Sequence, residues 1–211
     1  MISVQAENLS KRFGSTRVFE NLCFTFASGV QGVGGPNGSG KSTLLRCLSG
    51  LLRPTGGTVS WHVGDHTQAP NSIKKDLGYV APYINLYHEL SIRENLELIL
   101  QLRKQQVPED RIHSISSRLQ VDDLMSTAFG DLSTGQQQRA RLTCTLSYDP
   151  AILILDEPGA NLDEQGRLAI RNILDEYRSR DHDRMVLLAT NNPDELSLAD
   201  SVFLLDENQP G

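Results

Sequence analysis

Cysteine is scarce and odd in number: Cys23, Cys47 and Cys144 are widely separated, with no Cys-x-x-Cys spacing. That arrangement supports neither a disulfide framework nor a thiolate metal site, and buried free thiols are expected. The five histidines form no ligand-spaced cluster. No apolar run reaches the ~18–20 residues that cross a bilayer. The start, Met1-Ile2-Ser3-Val4-Gln5-Ala6-Glu7, lacks the basic and apolar regions of a secretory leader, so the cytoplasm is the expected compartment. Dense Lys/Arg runs are missing too, and 26 acidic against 20 basic side chains leave a net charge of −6. That balance speaks against nucleic acid as a partner. Repeats and low-complexity tracts are also absent. What is left is an ordinary globular composition, long enough at 211 residues for a single domain over 1–211 with a sizeable core.

Against that plain background, residues 35–42 stand out: Gly35-Pro36-Asn37-Gly38-Ser39-Gly40-Lys41-Ser42. They fit the phosphate-binding pattern G-x-x-x-x-G-K-[S/T] at every specified position. Glycines there allow backbone angles that a Cβ forbids, so successive amides can turn inward around a phosphate. Lys41 can reach β/γ-phosphate oxygens as a point charge, and the Ser42 hydroxyl can ligate Mg²⁺. Val30–Val33 before the loop reads as a short strand, and Thr43–Leu48 after it as the start of an apolar-periodic helix. Such a helix aims its positive dipole end at the anion. The residues from Gly35 through Thr43 are therefore the expected ATP-binding loop, with Lys41 also serving catalysis. An ordinary Gly-rich turn would show the glycines without this strand, lysine and helix around them.

Ile2–Leu9 and Val18–Phe26 read as strands, as does Gly56–Trp61, and His62–Asn71 reads as polar loop. Leu77–Val80 is a short buried strand candidate. Ser91-Ile92-Arg93-Glu94 has the spacing of a capping box that opens a helix, and Pro108–Leu119 reads as another helix. A helical lobe over roughly residues 85–145 is expected to interrupt an α/β frame. Ala151–Leu155 is a continuous apolar run, as in a strand covered on both faces. A helix over Gln165–Arg180 and strands at Met185–Thr190 and Ser201–Leu205 complete the pattern.

The apolar run ends in Asp156-Glu157. Ends of parallel strands are where α/β proteins bind ligands. Asp156 can hold Mg²⁺, directly or through water, and Glu157 can polarise the water that attacks a γ-phosphate. An Asp-Glu pair after a strand is by itself commonly a solvated loop start. Beside a Gly-Lys-Ser loop in the same chain it reads as catalytic.

Between these two elements lies Asp131-Leu132-Ser133-Thr134-Gly135-Gln136. With the loop and the Asp-Glu pair, this segment resembles the Leu-Ser-x-Gly-Gln signature of the ABC ATPase family, with Thr134 in place of the usual glycine. Ser133 would cap a helix whose first amides face an anion. The resemblance extends from Leu9 to Asp206. It implies a phosphate-loop NTPase core of RecA-like type, an N-terminal antiparallel β lobe and a helical lobe. It also implies two subunits, identical or different, packed head-to-tail around two ATP molecules. Ser133, Thr134, Gly135 and Gln136 of one subunit would complete the other's site. Phe13 stands where the family stacks an aromatic on adenine, and Asp163 is placed at the seam.

Two positions depart from the family pattern. The usual glutamine after the Tyr79-Val80 strand is replaced by Pro82, which has no side-chain donor or acceptor. The usual switch histidine after Ala189-Thr190 is replaced by Asn191, which can hydrogen-bond a γ-phosphate but carries no titratable proton. Slower hydrolysis than in typical relatives is the expected result. The implied role is the ATP-hydrolysing subunit of a membrane transporter, peripheral on the inner membrane face. A separate permease would dock on the helical lobe near Tyr83–Leu90, unless that stretch packs within the lobe. The short chain is similar to the ATPases of cytochrome c maturation haem exporters. A weakly hydrolysing nucleotide-binding regulator and a soluble non-transport ABC ATPase stay open as alternatives.

Overall fold

Residues 1–179 and 184–205 are described by a computed structural model. Strand β1 (Ile2–Phe13) alternates buried Ile2, Val4 and Ala6 with more exposed residues, so one face seeks a core. It pairs antiparallel with β2 (Thr16–Ala27) on one side and β4 (Gly56–Val63) on the other. A short strand, β5 (His66–Gln68), adds to the far edge of β4, giving the order β2-β1-β4-β5. This corrects the expected loop over His62–Asn71. An edge strand of His, Thr and Gln shows no apolar alternation, and its backbone pairing with Trp61–Val63 leaves no trace in composition.

The second sheet is wholly parallel, in the order β6-β7-β8-β3-β9. Its members are β3 (Gly29–Gly34), β6 (Leu77–Val80), β7 (Ile152–Asp156), β8 (Met185–Ala189) and β9 (Ser201–Leu204). Every residue of β7 and β8 is buried, because both faces of the sheet are covered. Ile152 and Ile154 pack toward the antiparallel sheet and α1 (Lys41–Leu48), while Leu153 and Leu155 pack toward the other helices. One strand thus feeds two cores at its period of two.

Trp61 fastens α1 to the antiparallel sheet. The indole is fully buried, and its Nε1–H donates to Leu48 O at 2.8 Å, supplying a partner to a carbonyl at the helix end.

Between β6 and β7 run α2 (Ile92–Arg103), α3 (Glu109–Arg118) and α4 (Thr134–Ser147). The α2 capping box forms as its spacing predicts: Ser91 Oγ accepts from Glu94 N–H at 3.2 Å, and Glu94 Oε2 accepts from Ser91 N–H at 2.8 Å. Ile92, Leu96, Ile112, Ile115 and Leu142 share one core with Leu153 and Leu155 of the sheet. Helix α5 (Glu164–Ser179) adds Ala169, Ile170, Ile173, Leu174 and Tyr177 to it, and the short α6 (Pro193–Leu196) precedes β9. Arg180 and Asp206, at the edges of the expected helix and of the family likeness, lie outside the described residues.

Cys47 and Cys144 are buried free thiols, and burial pushes them up to about 11 and about 12 respectively. Cys23 is exposed, contrary to expectation. Strand alternation in β2 turns Leu22 and Phe26 inward, so Cys23 and Thr25 face out.

Candidate active site

Four strand ends converge on one edge of the parallel sheet. β3 leads into Gly35–Gly40, β7 into Asp156-Glu157, β8 into Thr190-Asn191, and β6 into Ala81-Pro82-Tyr83. This is the carboxyl edge, where open parallel sheets place their ligands.

Gly40 sits at the start of α1 with φ 101°, and a Cβ there would lie 2.6 Å from Val18 Cγ1. Only glycine meets both demands. The first amides of α1 then point into the loop without a side-chain cap, free to meet an anion. Lys41 follows at only 5% exposure. Its ammonium donates to Gly35 O at 2.9 Å and Pro36 O at 3.1 Å, and lies 3.5 Å from Glu157 Oε1. The loop and the end of β7 are thereby brought together. Ser42 and Thr43 occupy the first turn of α1, half-buried.

Glu157 holds a left-handed backbone, φ 50°, uncommon for a residue with a side chain. Its N–H bonds Ala189 O at 2.8 Å, and its Oε2 accepts from Thr190 Oγ1 at 3.4 Å. The carboxylate is thus fixed between β7 and β8. Asp156 beside it is fully buried. Its Oδ2 accepts from the Tyr83 hydroxyl at 2.8 Å, while Oδ1 has no hydrogen-bond partner. A buried carboxylate oxygen with an unused lone pair suits a hard cation. Among the described residues no group of three or more His, Cys, Asp or Glu could hold a metal. One carboxylate and the Ser42 hydroxyl, completed by phosphate and water, is a donor set that Mg²⁺ accepts.

Asn191 donates through Nδ2 to Asn37 Oδ1 at 2.8 Å, so the β8 end also reaches the loop. Pro82 is exposed and Tyr83 takes up the contact with Asp156. Phe13 is at the end of β1, 51% exposed, with the Lys11 ammonium 4.8 Å from its ring centre.

Ser133 caps α4 as expected, and Gln136, three positions on, completes a capping box at the same spacing as Ser91 and Glu94. Ser133 Oγ accepts from Gln136 N–H at 3.3 Å, and Gln136 Oε1 from Ser133 N–H at 2.9 Å. A Cβ on Gly135 would lie 2.8 Å from Asn161 O, so the α4 start and the loop after Glu157 touch backbone to backbone. Ser133–Gln136 line a surface pocket with Arg139, Asn161, Leu162 and Asp163. None of Gly35–Thr43 lines it. Asp163 pairs with Arg139 and accepts from Gly166 N–H at 2.8 Å, and these contacts, the Gly166 amide foremost, hold its carboxyl below the usual range.

Two contributors were missed from sequence, Tyr83 and Glu195 on α6, and so was the contact that Asn37, expected within the loop, makes with Asn191. Burial pushes the Glu195 carboxyl up, the nearby Glu157 charge adds to this, and a hydrogen bond with Thr190 opposes it. The approaches of Tyr83 to Asp156, of Asn37 to Asn191 and of Glu195 to Glu157 join segments far apart in the chain, so no local spacing signals them.

The ABC transporter family model matches residues 19–160, two thirds of the chain and all of the loop, the capped α4 start and the Asp-Glu pair. The chain belongs to the ABC transporter family. It is an ATP-binding, ATP-hydrolysing member of that family. It is 31% identical over 99% of its length to a probable sulfate/thiosulfate import ATP-binding protein of Chlorella vulgaris, covering 89% of that protein. A sulfate/thiosulfate import ATP-binding protein of Thermosynechococcus vestitus is also 31% identical over 99% of the chain, which spans only 62% of that relative's length. A dimeric ATP-binding cassette, solved in a post-hydrolysis state with ADP and Pi, superposes with a TM-score of 0.82 at 23% identity. The superposition covers 97% of this chain and 94% of that one, and establishes the shared fold. Among the described residues no helix is long and apolar enough to cross a membrane.

Proposed function

We propose that this chain is a single ABC ATPase domain, with residues 85–145 as its helical lobe. It powers a separate membrane permease by closing and opening a head-to-tail dimer of ATPase subunits, identical or different. The observation that carries this is the 3.5 Å approach of Lys41 Nζ to Glu157 Oε1. It sets the phosphate-binding cation beside a half-buried carboxylate at the strand end, where attack on a γ-phosphate has to be organised. Glu157 polarises the attacking water. Lys41 and the loop amides of Gly35–Ser42 orient the phosphates. Asn191 reaches the γ-phosphate, and Phe13 offers its exposed ring to the adenine.

Mg²⁺ would be held by Asp156 Oδ1 and the Ser42 hydroxyl, and when bound there it neutralises charge on the β- and γ-phosphates. Ser133, Thr134, Gly135 and Gln136 lie in a pocket apart from the loop and open to the surface. A second subunit can bring its own loop to them, with Asp163 at the seam. The dimeric cassette of the same fold supports this arrangement.

The groove lined by Ile84, Leu86, Ile99, Leu102, Arg103 and Tyr148 lies on the helical lobe, and Leu102 is 74% exposed. It extends the Tyr83–Leu90 stretch and suits an apolar permease segment. Such docking places the subunit on the inner membrane face. The relatives' names favour import over the exporter likeness, with sulfate-class oxyanions the first cargo to test.

Glu157→Gln keeps shape and removes the charge that polarises water. Hydrolysis is expected to fall to near background, while ATP binding survives and the variant elutes as an ATP-dependent dimer on size exclusion. A monomer at saturating ATP and micromolar protein would overturn the head-to-tail assembly.

A further inference from the structure

Pro82 removes the side-chain amide that the family usually presents at the end of β6, and Tyr83 fills the vacancy in a different way. The Tyr83 hydroxyl donates to Asp156 Oδ2 at 2.8 Å and lies 2.7 Å from the Tyr79 hydroxyl. With the Tyr83 proton committed to the carboxylate, Tyr79 is left as the donor in the pair of phenols. The result is a two-phenol chain, Tyr79 to Tyr83 to Asp156. A phenol is protonated at neutral pH, so each hydroxyl has one hydrogen to donate.

This chain of bonds decides which carboxylate oxygen is free. Asp156 is fully buried, and with Oδ2 occupied by Tyr83, Oδ1 is the oxygen without a partner. We propose that Tyr83 is a positioning residue for the metal of the ATP site, holding Asp156 so that Oδ1 alone is presented to Mg²⁺. A neutral phenol does this from the carboxylate side, without becoming a ligand itself. The inference rests on the reading of Asp156 as the metal carboxylate.

The same segment is tied to α4. Arg141 donates through Nε to Ile84 O and through Nη2 to Asn85 Oδ1, both at 2.8 Å. On the other side, the Arg46 guanidinium of α1 stands 5.8 Å from the Tyr83 ring centre. Tyr83 therefore sits between the helix that follows the phosphate loop and the helix that begins at Ser133. A displacement of α4 would be felt at Asp156 through two residues of backbone.

Tyr83→Phe tests the proposal, because it keeps the ring and its approach to Arg46 while deleting the hydroxyl. Binding of a non-hydrolysable ATP analogue is measured with Mn²⁺ and again in EDTA, and the ratio of the two affinities is the metal's contribution. Loss of a group that orients a metal ligand typically costs 10–100-fold in metal affinity. The expected result is that this ratio falls by about tenfold, that affinity in EDTA changes less than twofold, and that the electron paramagnetic resonance spectrum of bound Mn²⁺ changes. Pro82→Gln added to Tyr83→Phe restores an amide at the preceding residue and should recover part of the ratio. An unchanged ratio in Tyr83→Phe overturns the proposal. So does an equal loss with and without metal, which would make Tyr83 a packing residue only. If analogue binding in wild type shows no metal dependence at all, the reading of Asp156 fails first, and the two failures are thereby told apart.

Discussion

The Asn191 side-chain amide donates to the Asn37 side-chain oxygen at 2.8 Å, joining the end of β8 to the middle of the phosphate loop. Both side chains are exposed, so their orientation comes from each other rather than from packing. A histidine at 191 could make the same donation from one ring nitrogen and would titrate near its unperturbed value of ~6.5. Asn191→His is expected to raise the ATPase rate and to add a pH dependence between about 6 and 8 that the wild type lacks. Paired pH–rate profiles check this. A flat profile with an unchanged or lower rate would mean that a neighbouring group has already assumed the switch role.

Lys41→Ala removes a nearly buried cation that faces Glu157 and two loop carbonyls. Hydrogen bonds from a charged donor are worth roughly 1.5–3 kcal/mol, so ATP affinity should drop by about 10–100-fold. Hydrolysis should drop with it. A nucleotide titration settles the matter, and undiminished binding would place the nucleotide elsewhere.

Glu195 gives a pH signature of its own. Burial, reinforced by the Glu157 charge, raises its folded-state pKa above the unfolded value. The folded chain then binds the proton more tightly than the unfolded chain does. Stability from this group is therefore present at low pH and is lost as pH rises through the raised value. Glu195→Gln should melt higher than wild type at pH 8, and that advantage should vanish toward about pH 4, below the ordinary glutamate value. Melting curves at the two pH values are sufficient, and an advantage that grows on acidification contradicts the assignment.

Thiol chemistry separates the three cysteines. Cys23 is exposed, whereas Cys47 and Cys144 are buried with thiols held protonated by burial. A colorimetric thiol reagent should label one cysteine per native chain quickly and the other two only on denaturation. Labelling of Cys23→Ser should lose the fast phase. Retention of that phase would show that Cys47 or Cys144 opens in the native protein.

The parts of this site that were legible in the sequence are those fixed by backbone demands over a few residues. Gly40 and Lys41 announce the loop because its geometry tolerates little else, and Ile152–Leu155 announces a strand because both its faces must be apolar. The Ser91-to-Glu94 cap is readable for the same reason, since its two bonds span three positions. Contacts across the chain are different. Asn37 and Asn191 are 154 positions apart, and Tyr83 and Asp156 are 73 apart. Nothing in the residue types says that these pairs meet; only the parallel strand order β6-β7-β8-β3 brings their ends to one edge. Edge strand β5 was hidden because solvent, not a core, chooses its side chains. Cys23 was misjudged by its chemistry when its place in the β2 alternation already turned it outward.

The chain holds one tryptophan, and it is Trp61, bonded to the carbonyl of Leu48 at the far end of α1. The eight residues of α1 span about 12 Å at 1.5 Å per residue, so the indole sits one short rigid rod away from the phosphate loop. Its light emission is that of a single dry chromophore with a fixed hydrogen bond. Any sliding or tilting of the rod loosens that bond and shifts the emission colour. The protein thus carries a built-in optical gauge, readable without a dye, whose needle is the helix that Lys41 begins.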